Sequence, residues 1–233
     1  MRHSRHARPR PRLKHLPESA SAGGPGAIGD AEPTALPTDV PAPRPVLESE
    51  LLHRGMVWDL RRDTVDLGAE GSVRREYVDH PGAVAVMVLD DDERVFLLRQ
   101  YRHPVRRELW EPPAGLRDVA GEDPLDTAAR ELAEEADLRA ARWNVLLDVF
   151  TSPGGSSESI RVYVARGLSE IPTDERYVRT GEEAEMAGRW WSLDDACDAV
   201  MAGLMASPTA VVGLLALDRA RRAGWTNLRP ARG

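Results

Sequence analysis

Apolar residues change their spacing along this chain, and the changes mark its elements. AVAVMVL (83–89) and RVFLLRQY (94–101) are nearly continuous apolar runs of strand length, and the polar residues 90–93 between them predict a β-hairpin. WNVLLDVF (143–150) and SIRVYVARGL (159–168) predict two further strands, and WWSL (190–193) a short last one. Upstream, MVWDLRRDTVDL (56–67) and SVRREYVDH (72–80) read as strands on either side of a turn around Gly68 and Gly71. A sheet of two or three such strands is marginal alone. The unit over 46–80 is therefore expected to pack on the main domain or across to a second copy of the chain, with Trp58 as a packing residue.

Between the strands the period changes to that of a helix. Asp123 suits an N-cap, Pro124 the first helical position, and Asp126 the positive end of the dipole. On a wheel of about 100° per residue, Leu132, Leu125, Ala136 and Ala129 gather between roughly 100° and 160° from Glu131 and predict a buried stripe. Glu131, Glu134 and Glu135 form an acidic face beside it. Like charges at i,i+4 cost a helix about 0.2–0.5 kcal/mol per pair. Such crowding is tolerable where a hard divalent cation sits on the carboxylates, and Arg130 offsets part of it by pairing with Glu134 or Asp126. The alternative is a bare solvated acidic face. Later, Ser192 and Asp195 open a helix running through Ala202, with Cys197 as a packing residue within it. Ser207 and Pro208 open a last helix closed by Gly224, with Val211, Leu214, Leu215 and Leu217 toward the core and Arg219, Arg221 and Arg222 at its negative end.

Composition narrows what this pattern can do. Residues 1–45 are rich in Arg, Pro, Ala, Gly and Ser without apolar periodicity, and are expected to be a disordered tail. The net charge of −7 is uneven, because the first fifteen residues carry six Arg or Lys and no acid, which leaves 25 basic against 38 acidic residues, or −13, in the rest. So acidic a body does not bind nucleic acid unaided, and an anionic substrate needs bound cations and a local arginine cluster. No apolar run is long enough to span a membrane and no secretory h-region is visible. The single cysteine excludes an intrachain disulfide and fits a reducing, cytoplasmic setting.

Two stretches carry the candidate chemistry. Glu122, seven residues, then Arg130, Glu131, Leu132, Ala133, Glu134 and Glu135 resemble the Nudix box, the pyrophosphohydrolase motif G-x5-E-x7-R-E-U-x-E-E-x-G-U. Two positions depart from it. Gly115 lies one residue too far from Glu122, and Asp137 stands where the motif has Gly, although Asp tolerates a left-handed helix end better than most residues. Just before the helix, RQYRHPV (99–105) followed by WEPPAGL (110–116) is similar to the ADP-ribose pyrophosphatase branch of that family, and the likeness spans roughly residues 78 to 218.

That resemblance implies an α/β fold, a Nudix α/β/α sandwich with a mixed sheet over residues 81–226, a small N-terminal antiparallel sheet at 46–80 used in homodimer exchange, and a tail at 227–233. It implies Glu131, Glu135 and the carbonyl of Ala114 as ligands for two or three Mg2+ or Mn2+ ions, with Glu122 and Glu134 in support. Gly115 would let the chain approach the cation closely. The resembling branch places its general base in the Gly/Ser-rich loop TSPGGSSES (151–159), expected to be mobile, where Glu158 is the titratable side chain; an ordinary exposed carboxylate is the alternative. Arg130 would orient the glutamates. Arg99, Arg102 and Glu111 are candidates for substrate contact, and Arg106 and Arg107 extend the basic run. Glu182, Glu183 and Glu185, in a polar loop at 169–188, are expected to be solvated, with one of them in reach of an outer metal.

The expected activity is hydrolysis of a nucleoside diphosphate derivative, with ADP-ribose giving AMP and ribose 5-phosphate. The alternatives are another Nudix substrate (NADH, a nucleotide sugar, an oxidised nucleotide) or a non-catalytic sensor of ADP-ribose.

Overall fold

The computed structural model describes residues 36–179, 181 and 186–232. The expectations for residues 1–35 and for Glu182, Glu183 and Glu185 lie outside these. By internal contacts the chain divides into Met1–Pro43 and Arg44–Gly233. In the first unit, residues 36–43 are exposed and carry no regular structure.

The second unit holds two sheets. The smaller is antiparallel in the order β1 (Val46–Arg54), β2 (Asp59–Asp66), β3 (Ser72–Asp79). Val46–Arg54 carries little apolar alternation, so its strand comes from pairing with β2. Met56 and Trp58 fall outside the expected strand because Gly55 N–H closes a turn onto the Trp58 carbonyl (3.1 Å). Cross-strand charges tie this sheet together. Arg62 reaches Glu50 on β1 (3.1 Å) and Glu76 on β3 (2.6 Å), and Arg61 reaches Asp79 (2.7 Å). Such solvent-screened pairs do not replace a core.

The larger sheet has eight strands. Its main path runs β10 (Ala187–Ser192), β5 (Arg94–Arg102), β4 (Ala83–Leu89), β9 (Ser159–Glu170), β8 (Leu138–Phe150), β11 (Arg229–Pro230), while β6 (Arg107–Glu111) pairs with β5 and β7 (Ala114–Leu116) with β4. β4 and β9 run parallel and the other pairings are antiparallel, so the sheet is mixed. Every residue of β4 is buried, as a central strand covered on both faces requires. Ala83, Ala85, Met87 and Leu89 point into one core layer with Leu193, Ala196, Leu214 and Leu217. Val84, Val86 and Val88 point into the other, with Ala128 and Leu132. The first layer lies under helices α2 (Leu193–Met201) and α3 (Pro208–Arg222), the second under α1 (Pro124–Ala136). This is the α/β/α sandwich.

Helix α1 has the ends its residues predict. The Asp123 side chain accepts from Leu125 N–H (2.8 Å), and Asp137 is left-handed at φ 56°. Its buried side is rotated from the expected stripe. Ala128 is buried and Ala129 exposed, because the acidic face is itself turned toward β7. β8 starts immediately at Leu138, earlier than the apolar run, since pairing with β9 recruits 138–142. The expected C-terminal tail contributes β11, whose Arg229 sits opposite Val145.

The loop at 151–158, expected to be mobile, is stitched to β3. Val78 N–H donates to the Gly155 carbonyl (3.0 Å), Ser157 N–H to the Val78 carbonyl (2.9 Å), and His80 N–H to Ser157 Oγ (2.9 Å). Its glycines and serines let the backbone follow the neighbouring strand.

Leu132 is fully buried between α1 and the sheet. Leu132→Ala is expected to lower the unfolding free energy by about 2–5 kcal/mol, read from urea denaturation. A loss below about 1 kcal/mol would mean that α1 does not dock through this residue.

Candidate functional site

Two clefts meet along β7. The first, about 540 Å³, is walled by Glu131, Glu135 and Arg130 of α1, Gln100 and Arg102 of β5, and the β7 backbone. The second, about 470 Å³, is lined by Glu158, Glu111, His80 and Trp58. Arg102, Ala114, Gly115 and Leu116 belong to both. A ligand with two ends can therefore lie across β7 with each end in one cleft.

Glu131 and Glu135 are one helical turn apart, so they share a face. That face meets β7 at close range. Ala114 N–H donates to Glu135 Oε2 (2.9 Å). A Cβ on Gly115 would stand 2.1 Å from Glu131 Oε1, so only glycine leaves room for that carboxylate. Arg130 sits in the middle of the charge. Its guanidinium contacts Glu131 (2.6 Å), Glu134 (3.2 Å) and Glu122 (3.4 Å). Burial opposes the arginine's charge, but Glu122 and Glu131 outweigh it and its pKa is raised. Hydrogen bonds from Arg130 and then Thr127 hold the Glu122 carboxyl below the usual range. Thr127 Oγ1 donates to Glu122 at 2.9 Å, which keeps Glu122 beside the helix despite the extra loop residue.

This oxygen set fits a hard divalent cation. Among the described residues no three His, Cys, Asp or Glu side chains converge as a cage. Mg2+ does not need one, since it is held by one or two carboxylates, keeps waters and takes substrate phosphate oxygens. Glu131, Glu135 and the Ala114 carbonyl are the groups that could hold it. Glu134 and Glu122 line neither cleft and touch it through Arg130.

On the other side of β7, Glu158 has its two oxygens in different hands. Thr151 Oγ1 donates to Oε2, and His80 Nε2 lies 3.7 Å from Oε1. Arg102 grips the buried Glu111 through two nitrogens (2.5 and 3.1 Å) and shows its edge to both clefts. Arg99 is three residues from Arg102, an odd spacing that points it to the opposite side of the strand. It reaches Glu108 (3.2 Å) and lines neither cleft, so the substrate contact expected of it is not supported by this geometry. Trp58, expected to pack on the main domain or across to a second copy, is 44% exposed in the single chain and lines the second cleft. No spacing signal marks His80 and Thr151, each just past a strand end, or Thr127, a lone threonine in the first turn of α1. Cys197 packs against the first core layer, and burial pushes its thiol up to about 11, which suits packing.

Comparison with known proteins adds three findings. The NUDIX domain model matches residues 79–209. An ADP-ribose pyrophosphatase of Mycobacterium tuberculosis is 46% identical over 184 residues, covering 79% of this chain and 87% of that protein, and a methanol dehydrogenase activator of Bacillus methanolicus is 40% identical over 124 residues, covering 53% and 66%. A crystal structure of an ADP compounds hydrolase superposes with a TM-score of 0.61 at 20% identity, over 80% of this chain and 98% of that one, a likeness of fold.

Gly115→Ala tests the site directly. The new methyl collides with the movable end of Glu131 rather than with backbone, so stability should fall by no more than about 1–3 kcal/mol. Displacing the carboxylate should weaken Mn2+ binding at least about tenfold, measured by electron paramagnetic resonance titration. Unchanged Mn2+ affinity would remove Glu131 as a ligand.

Proposed function

The chain belongs to the NUDIX family, and from that premise we propose that it is a metal-dependent hydrolase that adds water across the pyrophosphate of ADP-ribose, releasing AMP and ribose 5-phosphate. The observation that carries this reading is the pair of clefts meeting at β7, one walled by Glu131 and Glu135 and the other by Glu158. The substrate choice is supported by the 46% identity to the mycobacterial ADP-ribose pyrophosphatase across most of both chains.

Glu131, Glu135 and the Ala114 carbonyl would hold two or three Mg2+ or Mn2+ ions. Bound there, such ions neutralise phosphate charge and lower the pKa of a coordinated water. Arg130 keeps the acidic face from repelling itself apart and aims Glu131 at the cleft. Glu158 accepts the proton of the attacking water. Arg102 lies where the clefts join and is placed to meet the phosphates, with Glu111 fixing its orientation. Trp58 offers an exposed indole face on the second cleft, the kind of surface on which a purine stacks.

The chain acts as a homodimer in this reading. Val46, Leu47 and Leu51 of β1 are exposed, and the small sheet adds nothing to either core layer. The cytoplasm is the setting that a single free thiol suits. No described helix is long and apolar enough to cross a membrane.

Product analysis with ADP-ribose, NADH, a nucleotide sugar and an oxidised nucleoside triphosphate, each with and without Mg2+, tests the proposal. ADP-ribose should turn over fastest, only with the ion, giving AMP and ribose 5-phosphate. Tight ADP-ribose binding with no turnover of any compound would make the protein a sensor instead. Glu135→Gln should abolish Mg2+-dependent turnover with little change in stability. Glu158→Gln should lower kcat by about 10²–10⁴ with metal binding intact, and lost metal binding would make Glu158 a ligand rather than a base.

A further inference from the structure

We propose that His80 is a positioning residue for Glu158, holding the carboxylate in its working orientation through a neutral Nε2–H while Thr151 holds the other oxygen. The inference rests on reading Glu158 as the general base, and it assigns a task to a side chain that the metal-binding residues do not involve.

His80 follows the last residue of β3 and its side chain is only 10% exposed, a site where an imidazole needs partners for both nitrogens. Nδ1 accepts the Gly82 N–H at 3.0 Å. That bond uses the Nδ1 lone pair, so the ring proton of the neutral imidazole is on Nε2. Nε2 faces Glu158 Oε1 at 3.7 Å. Donor distances at catalytic groups are often long without substrate and shorten when it binds. Thr151 Oγ1 already donates to Oε2.

The nature of these donors matters as much as their place. An arginine or lysine here would pair with the carboxylate and weaken it as a proton acceptor. A hydroxyl and a neutral N–H fix its direction without a full positive charge, and leave further lone pairs toward the cleft.

The segment that carries His80 is itself registered to the base. Val78 and Gly155, Ser157 and Val78, and His80 and Ser157 form three hydrogen bonds of 2.9–3.0 Å between the end of β3 and the loop. Val78 and Ser156 form a parallel bridge. Loop and imidazole therefore move as one body, and the small sheet sets where the base sits.

His80→Asn keeps an acceptor for Gly82 N–H and removes the donor at the Nε2 position; His80→Gln places an amide N–H near that position. With ADP-ribose and Mg2+ on the full chain, His80→Asn should lower kcat about tenfold or more while KM stays within about threefold, and Mn2+ affinity should not change. His80→Gln should recover most of the lost kcat. In a Glu158→Gln background His80→Asn should add less than about twofold, because the residue acts through the carboxylate. An unchanged kcat for His80→Asn, a change confined to KM, or effects that multiply in the double variant would overturn the inference while leaving Glu158 as the base. Full turnover by Glu158→Gln alone would overturn the base assignment, and this inference with it.

Discussion

Carboxylates crowded on one side of α1 must be kept from driving one another into solvent, and the architecture around them answers that demand. Glu131 and Glu135 would repel across a single turn. Arg130 lies against Glu131, Glu134 and Glu122 at once, and β7 closes over the cleft side with an N–H for Glu135 and a missing side chain for Glu131. The acidic face is thus half-enclosed, with Arg130 along one flank. The other flank opens on the cleft.

Holding α1 in that pose is a task shared by distant segments. Leu132 and Ala128 anchor it to the even-numbered side of β4. Its start is reached by Arg232, which contacts Asp123 (3.3 Å) and Asp126. Its end is reached by Arg179, which pairs with Asp137 (2.8 Å) and donates to the Glu134 carbonyl (2.8 Å). The Arg232 contacts are exposed and screened by solvent. Their value is in direction rather than strength, since the buried apolar contacts already fix the helix on the sheet.

The Glu158 side of the candidate site follows a different logic. Glu158 sits in a loop without regular structure of its own, and a loop that must deliver a carboxylate needs an external template. The end of β3 supplies it, so the small N-terminal sheet has a part in the site despite its lack of a core. The two clefts are thereby built from separate parts of the chain, α1 on one side and β3 with its loop on the other, joined by the short β7.

The amino-acid order determined most of what is local. The caps of α1, the buried hairpin of β4 and β5, the spacing of Glu122, Arg130, Glu131 and Glu135, and the left-handed end at Asp137 all depend on neighbours within a turn or two, where period and residue type are sufficient. Other features waited on tertiary structure. The rotation of α1 that buries Ala128 instead of Ala129 comes from β7 lying over the acidic face. Strand pairing made a strand of 138–142 and of 229–230, which have weak apolar patterns of their own. The parity of a strand took Arg99 away from the site and kept Arg102 in it. His80 met Glu158 only because β3 runs beside the loop, a contact between residues 78 positions apart that no local pattern encodes. Local spacing decides which groups share a face, but what that face meets is decided by the packing of the whole sheet.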